Sequence, residues 1–344
     1  PFLKAPTVAI TGTNGKSTVT ALVGKMLEAE GMKPFVGANF GRPVFEAIGG
    51  DFGSLVLELS SYQTETLASL QPRVAVLLNV TEDHLDRYPS FEEYRKAKAK
   101  LLALVPPEGT VIVNLDDPAC VRSAEGIRAK VVGFTLEGKS APAGWDRIVE
   151  EGKKALLPGG EKIDFSKTKL AGRHNVANLL AAIAAARSFG AGKSAIEKAI
   201  AEFQGLPHRC QFVAEVKGVR YYDDSKGTNV GAVVECLRGF EGPLILVAGG
   251  IGKGGSYAPL ADAARGRVRH AILLGEDRKA IGKALSPVCA VEEVASMEEA
   301  VRRAYAIARS GESVLLSPAC ASFDMFRDYA DRGDKFQQAV RSLS

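Results

Sequence analysis

Short apolar runs rich in Val, Ile and Leu recur in both halves of the chain, and no other sequence feature constrains the fold as strongly. Amphipathic helical patterns separate the runs, and this alternation is typical of buried parallel strands covered by helices. The sequence therefore predicts an α/β fold with two mostly parallel sheets. The runs span residues 8–10, 55–57, 74–80 and 111–113 in the first half, and 244–248, 271–274 and 313–316 in the second.

The length of 344 residues favours two domains, because a single hydrophobic core rarely grows beyond about 250 residues. The turn Gly205-Leu206-Pro207 follows two helical patterns and precedes a new strand pattern at residues 211–216. We therefore predict one domain over residues 1–206 and another over residues 207–344. Between residues 141 and 170 the helical pattern lapses, which favours a small meander of strands on the first domain.

Composition and charge exclude several functional classes. The net charge is +4 without a basic block, so the chain lacks the electrostatic footprint of a nucleic-acid-binding protein. The sequence has no signal peptide and no apolar run of membrane-spanning length, which favours the cytoplasm and argues against membrane insertion. The five cysteines form no CxxC pair, so we expect neither a zinc site nor a disulfide framework.

The strand at residues 8–10 runs into the segment Thr11-Gly12-Thr13-Asn14-Gly15-Lys16-Ser17-Thr18 and then into an amphipathic helix. Glycines let backbone N–H groups converge on phosphate oxygens, the lysine reaches the terminal phosphates, and Ser17 supplies a hydroxyl for Mg²⁺. The common P-loop has a glycine where this chain has Ile10. A ligand-free strand-to-helix turn is the alternative, but Gly-Lys-Ser-Thr at a helix start favours a loop that binds the phosphates of ATP.

Two further polar segments follow strands of the predicted first sheet. Glu58 ends the strand at residues 55–57, where phosphate-loop enzymes place an acid that holds Mg²⁺. Many strands, however, end in an exposed Glu that has no role. His84 follows the strand at residues 74–80 among charged neighbours, where open α/β sheets bind ligands. A solvated turn explains His84 equally well, so both alternatives stay open.

A capping box at Ser90-Phe91-Glu92-Glu93 predicts the start of a helix. On this helix Lys98 lies on the same stripe as the apolar side chains of Phe91, Tyr94 and Leu101. An inward-pointing lysine either snorkels to solvent or occupies a site that alters its charge state. The periodicity does not choose between these two alternatives.

Three strand ends in the second half carry polar residues and lysines. They lie at residues 221–229, 248–255 and 317–324. Because the carboxyl ends of parallel strands meet at one edge of a sheet, these segments suit the binding of carboxylate or phosphate groups. Any one of them could be an ordinary βα loop, but the three together predict a site.

Taken together, these segments resemble the Mur ligase family of peptidoglycan synthesis, and the resemblance covers essentially the whole chain. Gly12-Thr13-Asn14-Gly15-Lys16 is shared with folylpolyglutamate synthases, whereas four other segments resemble the family member that adds D-glutamate. These four are Glu58-Leu59-Ser60-Ser61-Tyr62-Gln63, Asp83-His84-Leu85-Asp86-Arg87-Tyr88, Asp224-Ser225-Lys226 with Thr228-Asn229, and Ser317-Pro318-Ala319-Cys320-Ala321-Ser322.

Two related enzymes are weaker matches. The sister ligase that adds diaminopimelate has an Asp-Asn-Pro-Arg stretch, which this chain lacks. Folylpolyglutamate synthases continue their loop as Gly-Lys-Gly-Ser, whereas this loop continues Gly15-Lys16-Ser17-Thr18. The resemblance therefore favours the D-glutamate-adding branch of the Mur ligases.

The resemblance implies a central P-loop-type ATPase domain and a C-terminal Rossmann-like domain that binds the amino acid. Family members also have an N-terminal domain for the UDP-sugar, whereas this sequence opens a few residues before its phosphate loop. We therefore expect the chain to be part of a longer protein, with weak or lost UDP recognition. A nucleotide-binding module without turnover is the alternative to an active ligase.

The implied reaction joins D-glutamate to UDP-N-acetylmuramoyl-L-alanine. ATP phosphorylates the carboxylate of the UDP-linked substrate, the amine of D-glutamate attacks the acyl phosphate, and the products are an amide, ADP and phosphate. Positioning and charge neutralisation supply most of the rate in such reactions. We expect a cytoplasmic monomer that uses ATP and two Mg²⁺ ions.

The resemblance also assigns roles to individual residues. Lys16, His84 and Lys98 are the expected catalytic residues, and Lys98 matches a lysine that is carbamylated in the family. Ser17 and Glu58 match ligands of a first Mg²⁺, and His84 and Lys98 support a second. The ATP contacts correspond to Gly12, Thr13, Asn14, Gly15, Lys16, Ser17, Thr18, Asn178, His208, Arg209, Asp224 and Lys226. The substrate contacts correspond to Asn39, Ser61, Thr228, Lys253, Ser322, Phe323 and Tyr329.

Overall fold

The computed structural model of the protein describes residues 5–84, 87–170, 172–240 and 242–343. These residues form two compact units, and each unit combines helices with a mostly parallel sheet. The α/β prediction is therefore confirmed. The first unit takes its described residues from the segments up to Thr81, Tyr88–Leu170 and His174–Gln204, and the second takes them from Glu82–Arg87, 172–173 and Gly205 onward.

The first unit has nine strands among the residues that the structure describes. They are β1 (Thr7–Thr11), β2 (Pro34–Ala38), β3 (Ser54–Glu58), β4 (Val74–Leu77), β5 (Thr110–Asn114), β6 (Lys130–Thr135), β7 (Asp146–Glu151), β8 (Lys154–Leu156) and β9 (Lys162–Asp164). The helices are α1 (Lys16–Ala29), α2 (Ser61–Thr66), α3 (Phe91–Ala103), α4 (Pro118–Ala124), α5 (Arg173–Phe189) and α6 (Lys193–Glu202), with 3₁₀ turns at Val44–Ala47 and Pro158–Gly160.

These strands form a single sheet in the order β2-β3-β1-β4-β5-β6-β7-β8-β9. Neighbours from β2 to β7 pair in parallel, and β8 and β9 continue the sheet in antiparallel pairing. All five residues of β1 are buried, as expected for a parallel strand that is covered on both faces. The predicted apolar runs of the first half are β1, β3, β4 and β5, and the predicted meander is β7 to β9.

Parallel pairing brings the carboxyl ends of β1, β3 and β4 to the same edge of this sheet. Ile10 of β1 pairs with Glu58 of β3 on one side and with Val76 of β4 on the other. The loop after β1, the carboxylate at the end of β3 and the segment after β4 therefore meet at one edge. Open α/β sheets bind their ligands at such edges.

Helix α3 begins where its capping sequence predicts. The Ser90 hydroxyl accepts a hydrogen bond of 3.3 Å from the backbone N–H of Glu93. Tyr94, Lys98 and Leu101 are buried along one side of the helix. The stripe that contains Lys98 is therefore the inward face of α3.

The second unit has six strands and five helices in the part of it that is described. The strands are β10 (Gln211–Val216), β11 (Val219–Asp223), β12 (Leu244–Gly249), β13 (Val268–Leu274), β14 (Ala290–Glu293) and β15 (Ser313–Leu316). The helices are α7 (Val230–Arg238), α8 (Ala258–Ala264), α9 (Arg278–Leu285), α10 (Met297–Ile307) and α11 (Tyr329–Arg341). The sheet has the order β10-β11-β15-β12-β13-β14, with β10 antiparallel and the other pairs parallel.

The strand order of the second unit departs from the chain order at β15. β15 is the last strand in the chain, yet it lies between β11 and β12. A reversal of strand order of this kind opens a crevice at the carboxyl ends of the strands, where α/β proteins bind ligands. The segments that follow β11, β12 and β15 are the three polar strand ends that the sequence singled out.

Apolar side chains from both faces of the second sheet form separate cores. Leu246 and Ala248 of β12 pack on one face, whereas Ile245 and Val247 pack on the other. This alternation follows from the two-residue period of a strand that is buried on both sides. Within the described ranges, no helix of either unit is both long enough and apolar enough to cross a lipid bilayer.

The cysteine pattern misled the sequence prediction at one pair. The structure brings the sulfur atoms of Cys210 and Cys236 into contact although 26 residues separate them, and the sequence did not indicate this proximity. Cys210 lies just before β10 and Cys236 lies in α7, and side chains that are distant in sequence meet when such elements pack together. Spacing rules such as CxxC detect only pairs that are close in sequence.

Candidate active site

The backbone of the loop after β1 is held by contacts on two sides. Gly15 has a φ of 84°, and a Cβ atom added there would lie 2.4 Å from Oδ1 of Asn178. Glycine alone allows this approach. Asn79 holds the loop from the other side, because its backbone carbonyl accepts from Thr13 N–H at 2.9 Å and its Oδ1 accepts from Asn14 N–H at 2.8 Å.

Helix α1 starts directly after this loop and gives it an affinity for anions. The first N–H groups of a helix have no partner inside the helix and lie at the positive end of its dipole. Gly15 occupies the position before Lys16 and has no side chain that could cap these groups. Ile10, where the common P-loop has a glycine, is buried within β1. The loop therefore begins at Gly12, directly after β1 ends at Thr11.

Two lysine side chains converge on the same backbone carbonyl of the loop. Lys16 donates to the Gly12 carbonyl at 2.9 Å and to the Thr13 carbonyl at 2.8 Å. Lys98 donates to the Gly12 carbonyl at 2.8 Å, and only 2% of Lys98 is exposed. Lys98 therefore does not snorkel to solvent. Its ammonium group also lies 4.6 Å from the ring centre of Tyr94, which is a favourable cation–π distance.

Glu58 carries a buried carboxylate that is satisfied on one oxygen only. Oε1 accepts a hydrogen bond of 2.6 Å from the side-chain amide of Asn39. Oε2 is buried and has no hydrogen-bond partner among the residues that the structure describes. A buried carboxylate oxygen without a donor is costly, and a divalent cation would satisfy it. Glu58 therefore fits a Mg²⁺ ligand, and Asn39 orients it.

Ser17 is the second residue of the first unit that fits such a metal. It is 8% exposed and lies in the first turn of α1. Its hydroxyl is a hard oxygen donor, which is the type of ligand that Mg²⁺ prefers. The structure thus places Ser17 at the start of α1, directly after the loop, and Glu58 at the end of β3.

Ser61 lies on a short helix that is tied to α3. Ser61 begins α2 and is 2% exposed, and the preceding Ser60 forms a capping box with Gln63. The Thr64 hydroxyl donates to the backbone carbonyl of Ala97 at 2.8 Å, one residue before Lys98. The segment with Ser61 and the helix with Lys98 are therefore held together within the first unit.

His84 lies in a segment that groups with the second unit, as does its neighbour Asp83. Its backbone is in the left-handed region, with a φ of 55°, and its Nε2 atom is 3.7 Å from an Asp83 carboxylate oxygen. Asp83 also accepts from the Asn229 side chain at 3.2 Å and lies 3.4 Å from the Lys253 ammonium. The sequence motif contained Asp83, but nothing in the pattern predicted these contacts.

Asp224 in the second unit is a buried carboxylate with unusual acidity. It is 8% exposed, and burial raises its pKa to about 7. The Ser317 hydroxyl donates to Oδ2 at 2.6 Å, the Cys210 N–H donates to Oδ1 at 3.2 Å, and the charge of Arg209 opposes the rise. The predicted nucleotide contact thus titrates near neutrality.

His208 is oriented by a buried aspartate that the sequence did not single out. Asp223 is fully buried and lies 2.7 Å from Nδ1 of His208. The same carboxylate accepts from the Gln337 side chain at 2.8 Å and from the Ser225 N–H at 2.8 Å. Its hydrogen bond raises the pKa of His208. A pair of adjacent aspartates in the sequence gave no signal that they would differ in role.

The structure places Tyr329, a predicted amino-acid contact, beside Lys226, a predicted nucleotide contact, in the second unit. The Lys226 ammonium lies 3.6 Å from the ring centre of Tyr329, and the Thr228 N–H donates to the Lys226 carbonyl at 2.9 Å. Ser322 is 2% exposed, whereas Phe323 is 70% exposed. A cation–π contact of this kind holds the Lys226 side chain against the Tyr329 ring without removing its positive charge.

Comparison with known protein families decides the class of this chain. The model of the Mur ligase middle domain matches residues 10–186, and the model of the Mur ligase glutamate ligase domain matches residues 208–320. The chain belongs to the Mur ligase family. The resemblance noted in the sequence and the expected ATP-dependent, ADP-forming ligase activity are thereby confirmed.

Individual Mur ligases resemble the chain over almost all of its length. The UDP-N-acetylmuramoylalanine--D-glutamate ligase of Geotalea daltonii is 44% identical to this chain, and the alignment covers 100% of this chain and 76% of the relative. The enzyme of the same name from Myxococcus xanthus is 42% identical and covers 98% of this chain and 76% of the relative.

Solved Mur ligase structures share the fold at lower identity. UDP-N-acetylmuramoylalanyl-D-glutamyl-2,6-diaminopimelate--D-alanyl-D-alanyl ligase of Acinetobacter baumannii superposes with a TM-score of 0.70 at 20% identity, covering 98% of this chain and 76% of the other. A pseudomurein peptide ligase type C of Methanothermus fervidus gives a TM-score of 0.72 at 20% identity, covering 99% and 79%. These similarities concern the fold alone.

The raised pKa of Asp224 predicts a pH-dependent loss of stability in this Mur ligase. The folded protein binds the Asp224 proton more tightly than the unfolded chain, so the free energy of unfolding falls as pH rises from about 4 to about 7. Asp224→Asn removes this titration. In urea unfolding, the free energy of unfolding of the variant should rise relative to that of the wild type as pH increases across this range, by roughly 1.4 kcal/mol per unit of pKa shift.

The exposed Asp262 offers a matched control for this comparison, since its side chain is 80% exposed. Asp262→Asn should follow the wild-type pH profile. If Asp224→Asn also ran parallel to the wild type over the whole range, Asp224 would not be the buried acid that the structure describes.

Proposed function

We propose that this protein is an ATP-dependent ligase that joins D-glutamate to UDP-N-acetylmuramoyl-L-alanine in peptidoglycan synthesis. The proposal rests on one observation above all. A loop suited to anions and two lysine ammonium groups lie at the same sheet edge as the buried carboxylate of Glu58, whose Oε2 has no hydrogen-bond partner in the described part of the chain. The name shared by relatives that are 40–44% identical to the chain supports the choice of substrates.

The loop residues supply the grip on ATP. Backbone N–H groups at the start of α1 bind the phosphates, and Lys16 moves from the Gly12 and Thr13 carbonyls to the terminal phosphate. Ser17 and Glu58 would hold a Mg²⁺ ion that neutralises charge on the transferring phosphoryl group. The substrate carboxylate then accepts that group, and the amine of D-glutamate displaces phosphate from the acyl phosphate to form the amide.

Lys98 takes part as a carbamate in this proposal. Its neutral amine reacts with CO₂, forming an N–C bond and releasing a proton, so that a buried cation becomes a carboxylate-like anion. That anion, together with His84, would support a second Mg²⁺ near the substrate carboxylate. The full burial of Lys98 and its place beside the phosphate loop support the assignment, because a positively charged lysine could not bind a metal there.

The two halves of the chain divide the work. We assign ATP binding to residues 1–206, including Asn178, and amino-acid binding to residues 207–344. Asn39 and Ser61 would contact the UDP-linked substrate. His208, Arg209, Asp224 and Lys226 would complete the nucleotide site, and the D-glutamate contacts would be Thr228, Lys253, Ser322, Phe323 and Tyr329. The enzyme would act as a monomer in the cytoplasm.

Replacement of Lys98 tests the carbamate, and α3 provides a matched control. Lys98→Ala should abolish ligation, whereas Lys96→Ala should leave it near the wild-type rate, because Lys96 is exposed and paired with Glu93. In ¹³C-bicarbonate, NMR should detect a carbamate carbon in the wild type and in Lys96→Ala but not in Lys98→Ala. Full activity of Lys98→Ala, or no carbamate signal in any of the three proteins, would refute this role.

An amino-acid screen tests the substrate assignment. The protein is incubated with ATP, Mg²⁺ and UDP-N-acetylmuramoyl-L-alanine, together with D-glutamate, L-glutamate, diaminopimelate or L-lysine. Amide product by mass spectrometry and phosphate release should appear with D-glutamate only, and Lys16→Ala should show neither. A preference for a diamino acid would contradict the substrate, and ATP binding without any amide would favour a nucleotide-binding module.

A further inference from the structure

Arg332 is the largest fully buried side chain among the residues that the structure describes, and the proposed reaction assigns it no role. It lies in α11 and is 1% exposed. Among the described residues, no carboxylate lies within ion-pair distance of its guanidinium. Burial lowers its pKa to about 10. Removing a charge from water without an ion pair is expensive, so this arginine needs compensation from other groups.

That compensation comes from three strand ends of one sheet. Nε donates to the Ser225 hydroxyl at 2.9 Å and one Nη donates to the Ser225 carbonyl at 2.8 Å. The other Nη donates to the carbonyls of Cys320 at 3.2 Å and Gly249 at 3.4 Å. Ser225 follows β11, Gly249 ends β12 and Cys320 follows β15. The planar fork of a guanidinium can bridge three such acceptors, which a point charge cannot do.

Each of these strand ends leads into a segment that carries a proposed amino-acid contact. Ser225 lies three residues before Thr228, Gly249 lies four residues before Lys253, and Cys320 lies two residues before Ser322. The Ser225 hydroxyl in turn donates to the Tyr329 carbonyl at 2.7 Å. The acceptors of Arg332 therefore lie within four residues, or one hydrogen bond, of several groups that would hold the amino acid.

We propose that Arg332 is a positioning residue for the amino-acid substrate, because it fixes the ends of β11, β12 and β15 relative to one another. This inference rests on the proposed function for the identity of the substrate. The hydrogen bonds of Arg332 to the three strand ends are independent of the proposed function. A purely structural arginine would affect stability alone, whereas a positioning arginine affects how tightly the amino acid binds.

The test compares Arg332→Lys with Arg341→Lys, a matched change at an exposed arginine of the same helix. Lysine keeps the positive charge but loses the fork. In steady-state ligation, Arg332→Lys should raise the KM for D-glutamate by about tenfold or more and leave the KM for ATP within about twofold. Arg341→Lys should change neither. A lower melting temperature with an unchanged KM for D-glutamate would overturn the proposal.

A second measurement needs no turnover and separates this inference from the proposed function. Amide hydrogen exchange should accelerate in Arg332→Lys at residues 225–229, 249–255 and 320–323 together, and in Arg341→Lys at none of them. Absence of ligation by the wild type would refute the proposed function while this readout still tests Arg332. Uniformly faster exchange across the unit, or no change at the three segments, would refute the positioning role.

If Arg332→Lys does not fold, Ser225→Ala tests the same connection from the other side. It removes the hydroxyl that accepts from Arg332 and donates to Tyr329. We expect a smaller rise in the KM for D-glutamate and faster exchange at residues 225–229. Wild-type values for both would count against the proposal.

Discussion

The buried carboxylate of Glu58 is the constraint on which the proposed metal site of the first unit depends. A carboxylate is buried at the end of β3 because parallel pairing sets it opposite Ile10, beside the loop that follows β1. Asn39 satisfies one oxygen and leaves the other unpaired within the described part of the chain. Folding alone gains nothing from such an oxygen, since desolvation penalises it. The arrangement makes sense if the folded protein binds a cation there.

The second unit also buries a charged group, and there the group is a cation. Arg332 is a buried cation that forms no ion pair with a carboxylate within the described ranges, and it donates instead to the Ser225 hydroxyl and to backbone carbonyls at strand ends. Asp223 and Asp224 are adjacent in the sequence and both are buried. Asp223 orients His208, whereas Asp224 has a pKa of about 7. In both units, buried polar groups lie at the carboxyl edge of a parallel sheet. At this edge, the backbone carbonyls at the strand ends and the loops that follow them can contact a ligand.

Much of this arrangement could be predicted from the sequence, because hydrophobic periodicity determines where strands and inward faces lie. The stripe that contains Lys98 predicted its burial, but not its acceptor, since Gly12 is 86 residues away in the chain. β6 and β14 escaped prediction because Lys130, Gly133 and the paired glutamates of β14 interrupt their apolar character. Asp223, Arg332 and the Cys210–Cys236 pair were missed for a common reason. The sequence gives the type of a polar residue but not whether its side chain is buried, and only tertiary contacts decide that.

Binding of Mn²⁺, a paramagnetic substitute for Mg²⁺, tests the central claim most directly. Electron paramagnetic resonance titrations in the presence of ATP should show that Glu58→Gln weakens Mn²⁺ binding by about tenfold or more, while metal-free ATP affinity stays unchanged. Glu46→Gln, at an exposed glutamate of the same unit, should bind Mn²⁺ as the wild type does. If Glu58→Gln bound Mn²⁺ with wild-type affinity, the buried oxygen would not be a metal ligand, and the account of the site would be wrong.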